Sequence, residues 1–214
     1  MKILHIICAT LMAVAFASCE HRDFPDTAMK TCDILCTDGK VVRFEEVKSQ
    51  NKTPIAVVFY VNQNEDIQGT GYAVYLKDIE PFAYSDSLGL KHNTSADITA
   101  FDGNGNTHAM YSSGTSPAAS AVFDMWQYGQ SAYIPSVAQI KLLYQARSAV
   151  NTYIRKCGGD MIPDNLDECW YWTSTEVKDQ ETAKAWLYSL ASGALQETPK
   201  TQAHKVRPII TLYN

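Results

Sequence analysis

The chain has 214 residues, 46% of them hydrophobic and 19% charged, with a formal net charge of −5. That balance excludes an intrinsically disordered chain and provides for one sizeable core. No Lys/Arg-rich cluster is present, which argues against nucleic acid as a partner, because phosphate binding needs a basic face.

Met1 and Lys2 make a short basic start, residues 3–16 are almost wholly apolar, and Ala17-Ser18 sets two small residues before Cys19. Such an order reads as a secretory signal over residues 1–18. The apolar run is shorter than the ~20 residues a spanning helix needs. With a cysteine directly after the small pair, the segment resembles a bacterial lipoprotein signal. The resemblance implies cleavage before Cys19, acylation of Cys19, and an otherwise soluble protein tied by lipid to a membrane. An ordinary signal peptide cut a few residues later is the other reading. Glu20-His21-Arg22-Asp23 follows. In Bacteroidetes lipoproteins an acidic stretch at this place favours export to the cell surface; here His21 and Arg22 interrupt it, so surface display is only suggested. Residues 19–31 are expected to be a lipidated polar tether and 32–214 the folded domain.

In chain order, residues 33–36 read as a short strand closed by the turn pair Asp38-Gly39, and 41–47 as a second strand. Residues 55–61 form a continuous β-branched and aromatic run, the pattern of a strand buried on both faces. Residues 71–76 are expected to pair with it across the polar 62–70 loop. Residues 84–115 are polar and hold four glycines. A loop of that length in a compact domain is usually functional or mobile. Within it, Asp102-Gly-Asn-Gly-Asn106 is like the start of a calcium loop but lacks the closing acid, and tight turns use the same residues. No metal site is expected. Ser116-Pro117 caps a helix over 118–128, ended by Gly129. Ser136 with Gln139 makes a capping box for a second helix, whose apolar face is Val137, Ile140, Leu143, Tyr144, Val150 and Ile154. Asn151 marks a candidate break in it. Strands are expected over 170–175, 185–191, 194–198 and 206–212. Strands, two helices and strands again make the class α+β.

If Cys8 leaves with the signal and Cys19 takes lipid, Cys32, Cys36, Cys157 and Cys169 remain. Four cysteines in an exported chain point to two disulfides. Cys157 with Cys169, across a polar turn-rich segment, is the expected pair. Cys32 and Cys36 would share a strand face too far apart to bond, which leaves thiols open for them. The spacings C-x3-C and C-x11-C do not match a good zinc knuckle.

No Gly-x-Ser-x-Gly, His-Glu-x-x-His or phosphate-loop motif occurs, and His21, His92, His108 and His204 are scattered. The aromatic set offers a better binding candidate: Trp126, Tyr128 and Tyr133, then Trp170, Tyr171, Trp172, Trp186 and Tyr188. Trp172 and Trp186 are expected in the core. Tyr171 and Tyr188 combine an apolar ring with a hydroxyl, which suits a partly exposed ligand surface. Glu176, Lys205 and Arg207 read as ion-paired structure.

Three late segments, Tyr133-Ile-Pro-Ser-Val-Ala-Gln-Ile-Lys-Leu-Leu-Tyr144, Tyr171-Trp-Thr-Ser-Thr-Glu176, and Ala185-Trp186 with Lys205-Val-Arg-Pro-Ile209, form a spaced series. With Asp33-Ile-Leu-Cys-Thr-Asp-Gly39 and Pro54-Ile-Ala-Val-Val-Phe-Tyr-Val61, the series resembles the DUF1566-type domains of Bacteroidetes lipoproteins, which have the C-type-lectin-like fold. The resemblance implies that N-terminal and C-terminal strands meet, that two helices pack on the sheet, and that an irregular face serves ligands. That face is expected over the late strands, bordered by the 84–115 loop and the 178–182 turn. The Glu-Pro-Asn or Gln-Pro-Asp and Trp-Asn-Asp motifs of calcium-dependent sugar sites are missing. The cysteine pair of formylglycine-generating relatives has no counterpart after Cys169. The functional expectation is a lipid-anchored outer-membrane module, without cofactor, that binds a glycan or protein ligand within a surface or fimbrial assembly. An enzyme or accessory protein acting on glycans is the alternative.

Overall fold

The computed structural model describes residues 28–64, 67, 69–127 and 130–213. The signal reading, Cys19, most of the tether and Tyr128 lie outside the described residues. The elements in chain order are β1 (Ile34–Cys36), β2 (Val41–Val42), α1 (Phe44–Ser49), β3 (Pro54–Val61), β4 (Gly71–Tyr75), β5 (Ile79–Ala83), α2 (Gly103–Ser112), α3 (Pro117–Phe123), β6 (Trp126–Gln127), β7 (Gln130–Ser131), α4 (Val137–Lys156), β8 (Trp170–Glu176), β9 (Lys184–Ser189), β10 (Leu195–Pro199), β11 (Ala203–Val206) and β12 (Ile209–Leu212).

The class is α+β, with two five-stranded sheets ordered β12-β4-β3-β1-β2 and β10-β9-β8-β11-β5 and a small β6-β7 ribbon. The last strand closes on the early ones: β12 pairs antiparallel with β4, Ile209 opposite Val74 and Leu212 opposite Gly71. In the second sheet β11 runs parallel to β8, with Lys205 opposite Tyr171.

Strand β3 explains how one sheet carries two cores. Successive side chains of a strand point to opposite faces. Val57 and Phe59 join Ile140, Leu143, Val150 and Ile154 of α4, whereas Ala56 and Val58 join Leu35, Ala73, Trp172, Leu187 and Val206. The four α4 aliphatics are fully buried, each contributing on the order of 1.5–3 kcal/mol. The helix starts as its sequence implies: Gln139 N–H donates to Ser136 Oγ (3.4 Å), and Ser136 N–H to Gln139 Oε1 (3.0 Å).

The helices differ from expectation in four places. Residues 44–49 are helix α1, not strand. Arg43 N–H donates to Glu46 Oε2 (3.0 Å), and the Phe44 ring meets Tyr153 of α4 edge-on. Residues 103–112, read as loop, form α2 despite two glycines and two asparagines. Tertiary bonds override poor propensity here: Gly103 N–H donates to Gln139 Oε1 (3.2 Å), and Ile134 N–H to Thr107 Oγ1 (2.9 Å). Helix α3 ends at Phe123, and the chain turns into the β6-β7 ribbon. Helix α4 runs unbroken through Asn151, whose side chain leaves the helix to bond Ile162.

Candidate functional site

The site is built on an irregularity in β8. Trp170, Tyr171 and Trp172 pair with Ser189, Tyr188 and Leu187 of β9, but Glu176 pairs with Ala185, so β8 carries extra residues between Trp172 and Glu176. Such a bulge re-aims side chains. Thr173 Oγ1 donates to Trp186 O (2.8 Å), Ser174 N–H to Pro135 O (2.9 Å), and Val137 N–H to Thr175 Oγ1 (3.2 Å). The run Trp-Thr-Ser-Thr-Glu thus locks the start of α4 to the second sheet and turns the Glu176 carboxylate inward, under residues 84–102.

There it meets Lys200, from the turn after β10; both side chains are fully buried. Lys200 Nζ lies 2.6 Å from Glu176 Oε1, 2.7 Å from Glu181 O and 2.8 Å from Leu90 O. Three ammonium donors therefore find three acceptors from three segments. His92 Nδ1 lies 2.9 Å from the same nitrogen, and the ammonium sits 5.2 Å from the Tyr84 ring centre. Glu176 also accepts from His92 N–H (3.0 Å) and Thr94 Oγ1 (2.9 Å). Burial pushes this carboxyl up, but the hydrogen bonds from His92 and Lys200 outweigh it and hold the group down at about 2. At Lys200 burial is the larger influence and lowers the ammonium below its ordinary value, against the raising effect of Glu176.

This latch fixes a loop of almost no regular structure. Further ties run from Ser85 N–H to Lys200 O (3.0 Å), Gly89 N–H to Thr182 O (2.8 Å), Ser95 N–H to Asn106 Oδ1 (2.9 Å) and Ser136 Oγ to Ala100 O (2.7 Å). The 84–102 loop and the 178–182 turn therefore meet. On its outer side the loop exposes Leu88 (53%), Ile98 (42%) and Phe101 (37%). Glu176 and Lys200 are sealed from solvent and engaged with each other, so what they supply is position: a loop held in one conformation before any ligand arrives.

Tyr171 and Tyr188 correct the expectation of partly exposed anchors. Their exposures are 0% and 4%. Strands β8 and β9 are covered on both faces, so the side of β8 opposite Trp172 is core as well. The Tyr171 hydroxyl donates to Asp78 Oδ2 (3.0 Å), and the Tyr188 ring packs beside Tyr144. Burial pushes both hydroxyls above their ordinary value. Trp172 is fully buried, its Nε1–H donating to Phe82 O (3.0 Å), and Trp186 is half-buried. Glu176, Lys205 and Arg207 are each ion-paired. Lys200 takes Glu176. Asp78 takes buried Arg207 (Nη1 to Oδ1, 2.7 Å) and Lys205 (3.6 Å). Lys200 and His92 are what sequence reading missed; neither sits in a motif, and only the tertiary fold brings them to Glu176.

The expected Cys157–Cys169 disulfide is also corrected: both are thiols. Other groups already close the segment between them. Asn151 Nδ2 donates to Ile162 O (2.9 Å), Ile162 N–H donates to Asn151 Oδ1 (2.8 Å), and Arg207 Nη2 donates to Asp160 O (2.7 Å). Cys169 enters the core at the start of β8 with its sulfur 3.0 Å from Ser189 Oγ, while Cys157 packs among the residues around Cys36. The Asp102–Asn106 run opens α2, Asp102 being engaged with Asn106. Among the described residues no group of three or more His, Cys, Asp or Glu is placed to hold a metal.

No family model matches the chain, and no curated protein sequence matches it. Among solved structures it is similar to a fimbrial protein from Bacteroides ovatus ATCC 8483, with a TM-score of 0.63 and 17% identity. The likeness shows a shared fold. It covers 86% of this chain and 49% of that one, so the chain spans about half the length of the fimbrial protein. Among the described residues no helix is long and apolar enough to cross a membrane.

Proposed function

We propose that this protein is a lipid-anchored module of the bacterial outer membrane, displayed at the cell surface, that binds a protein partner within a surface or fimbrial assembly. In this reading Cys19 carries the lipid, and the domain is a DUF1566-type member of the C-type-lectin-like fold. The carrying observation is the 84–102 loop: irregular, pinned from beneath by the Glu176–Lys200 latch, and exposing Leu88, Ile98 and Phe101. Exposed apolar side chains on a pre-ordered loop lower the ordering cost of association and offer surface for burial. A protein partner is favoured over a glycan at this face because Tyr171, Trp172 and Tyr188, which would stack on sugar, are in the core. The likeness to a fimbrial protein supports the assembly context.

The test compares wild type, Cys19→Ala and Leu88→Ser/Phe101→Ser in cells. Labelled fatty acid and membrane association are expected to disappear only in Cys19→Ala. Co-isolation with a surface assembly is expected to disappear in the loop variant, whose unfolding midpoint stays that of wild type. Fatty acid on Cys19→Ala, or full co-isolation of the loop variant, contradicts the reading.

A further inference from the structure

A concave surface elsewhere on the domain shares no residue with the loop face. It is a groove of about 230 Å³ between α4 and the segment after it, lined on the helix side by Arg147, Ser148, Asn151, Thr152 and Arg155 and on the other side by Asp164 among others. Those helix positions are i, i+1, i+4, i+5 and i+8, one stripe of an α-helix. The opposite wall is fixed, because both polar atoms of the Asn151 amide are bonded to the backbone of Ile162. Arg147 is fixed too: its Nη1 donates to Leu190 O, and its guanidinium lies 5.9 Å from the Tyr144 ring centre. Arg155 is exposed and makes no ion pair among the described residues. In a chain with 23 acids against 18 Lys and Arg, a groove lined by two arginines and one carboxylate residue runs against the overall charge.

The chemistry of the groove narrows the ligand. Two arginines call for an anion, and the planar guanidinium fork matches a carboxylate. The fork also matches phosphate, but the groove lies along the C-terminal half of α4, where the negative helix dipole repels a dianion more than the single charge of a carboxylate. The Ser148 and Thr152 hydroxyls both donate and accept, as sugar hydroxyls require. We propose that this groove binds a carboxylate-bearing sugar, a hexuronate unit of an acidic polysaccharide. Arg155 and Arg147 face the carboxylate, and Ser148 and Thr152 face the ring hydroxyls.

The experiment is a titration of the protein lacking residues 1–19 with trigalacturonate, followed through backbone amide resonances. Maltotriose and a triglutamate peptide are run in parallel. Trigalacturonate is expected to shift residues 147–155 saturably, and maltotriose to leave them in place. Arg155→Gln is expected to weaken binding about tenfold or more, with its unfolding midpoint unchanged. Ser148→Ala is expected to weaken trigalacturonate binding while maltotriose still leaves these residues in place. Equal binding of maltotriose, binding of triglutamate as tight as trigalacturonate, or no saturable shift overturns the assignment. Leu88→Ser/Phe101→Ser should leave this titration untouched, so failure here and failure of the loop reading are distinguishable.

Discussion

Replacing Lys200 with methionine removes the centre of the latch while keeping an unbranched stem. The change deletes three short hydrogen bonds at once, to Glu176 Oε1, Glu181 O and Leu90 O. Glu176 then keeps His92 N–H and Thr94 Oγ1 but is left as a buried carboxylate without its ammonium partner. Breaking a buried ion pair from one side costs about 3–5 kcal/mol, a large share of the ~5–15 kcal/mol that separates folded from unfolded domains. The double variant Lys200→Met/Glu176→Gln removes the stranded charge as well, so it should be more stable than Lys200→Met alone, with a favourable interaction of about 1 kcal/mol or more. Urea unfolding measures both. Amide hydrogen exchange measures the local consequence: residues 86–101 should lose protection in Lys200→Met, and the buried face of α4 should not. A loss under ~1 kcal/mol with unchanged exchange in the loop would refute the claim that this pair holds it.

Three further outcomes follow from named groups. The Glu176 carboxyl sits at about 2 in the fold against an ordinary 4.5, so its stabilisation is complete above pH ~4.5 and is lost as pH falls towards 2. Glu176→Gln should flatten that limb of the stability–pH curve; an unchanged limb contradicts the assignment. Peptide mapping without reductant should find Cys157 and Cys169 both alkylated, and a linked 157–169 peptide would contradict the thiol assignment. Gly103→Ala would place a methyl 2.7 Å from Ile134 O and 2.8 Å from Ser136 N, where α2 meets the start of α4. It should destabilise by about 1–3 kcal/mol, and a neutral result in thermal unfolding would mean the two helix starts are less tightly packed than described.

The sequence patterns best read were those that report local periodicity. The continuous β-branched and aromatic run in 55–61 marked a strand buried on both faces, and Ser136 with Gln139 marked the true start of α4. What local pattern could not show was how the sheets are covered. Tyr171 and Tyr188 looked like surface residues because tyrosine is amphipathic, yet β8 and β9 have no open face. The helix over 103–112 was hidden because its Gly and Asn residues are poor formers in isolation, and its support comes from Ile134 and Gln139 far along the chain. The latch was least legible. Glu176 was recognised as paired structure, but its partner stands 24 residues later in a turn, and no spacing rule links them.

The outer side of the 84–102 loop is the face proposed to meet a protein partner. The most direct measurement places a photoreactive amino acid at Leu88, Phe101 or, as control, exposed Glu45 of α1, in cells expressing the full chain. Irradiation at 88 and 101 should yield one discrete adduct whose mass spectrum identifies a component of a surface assembly, and irradiation at 45 should not. Adducts at 45 with none at 88 or 101 would contradict the account.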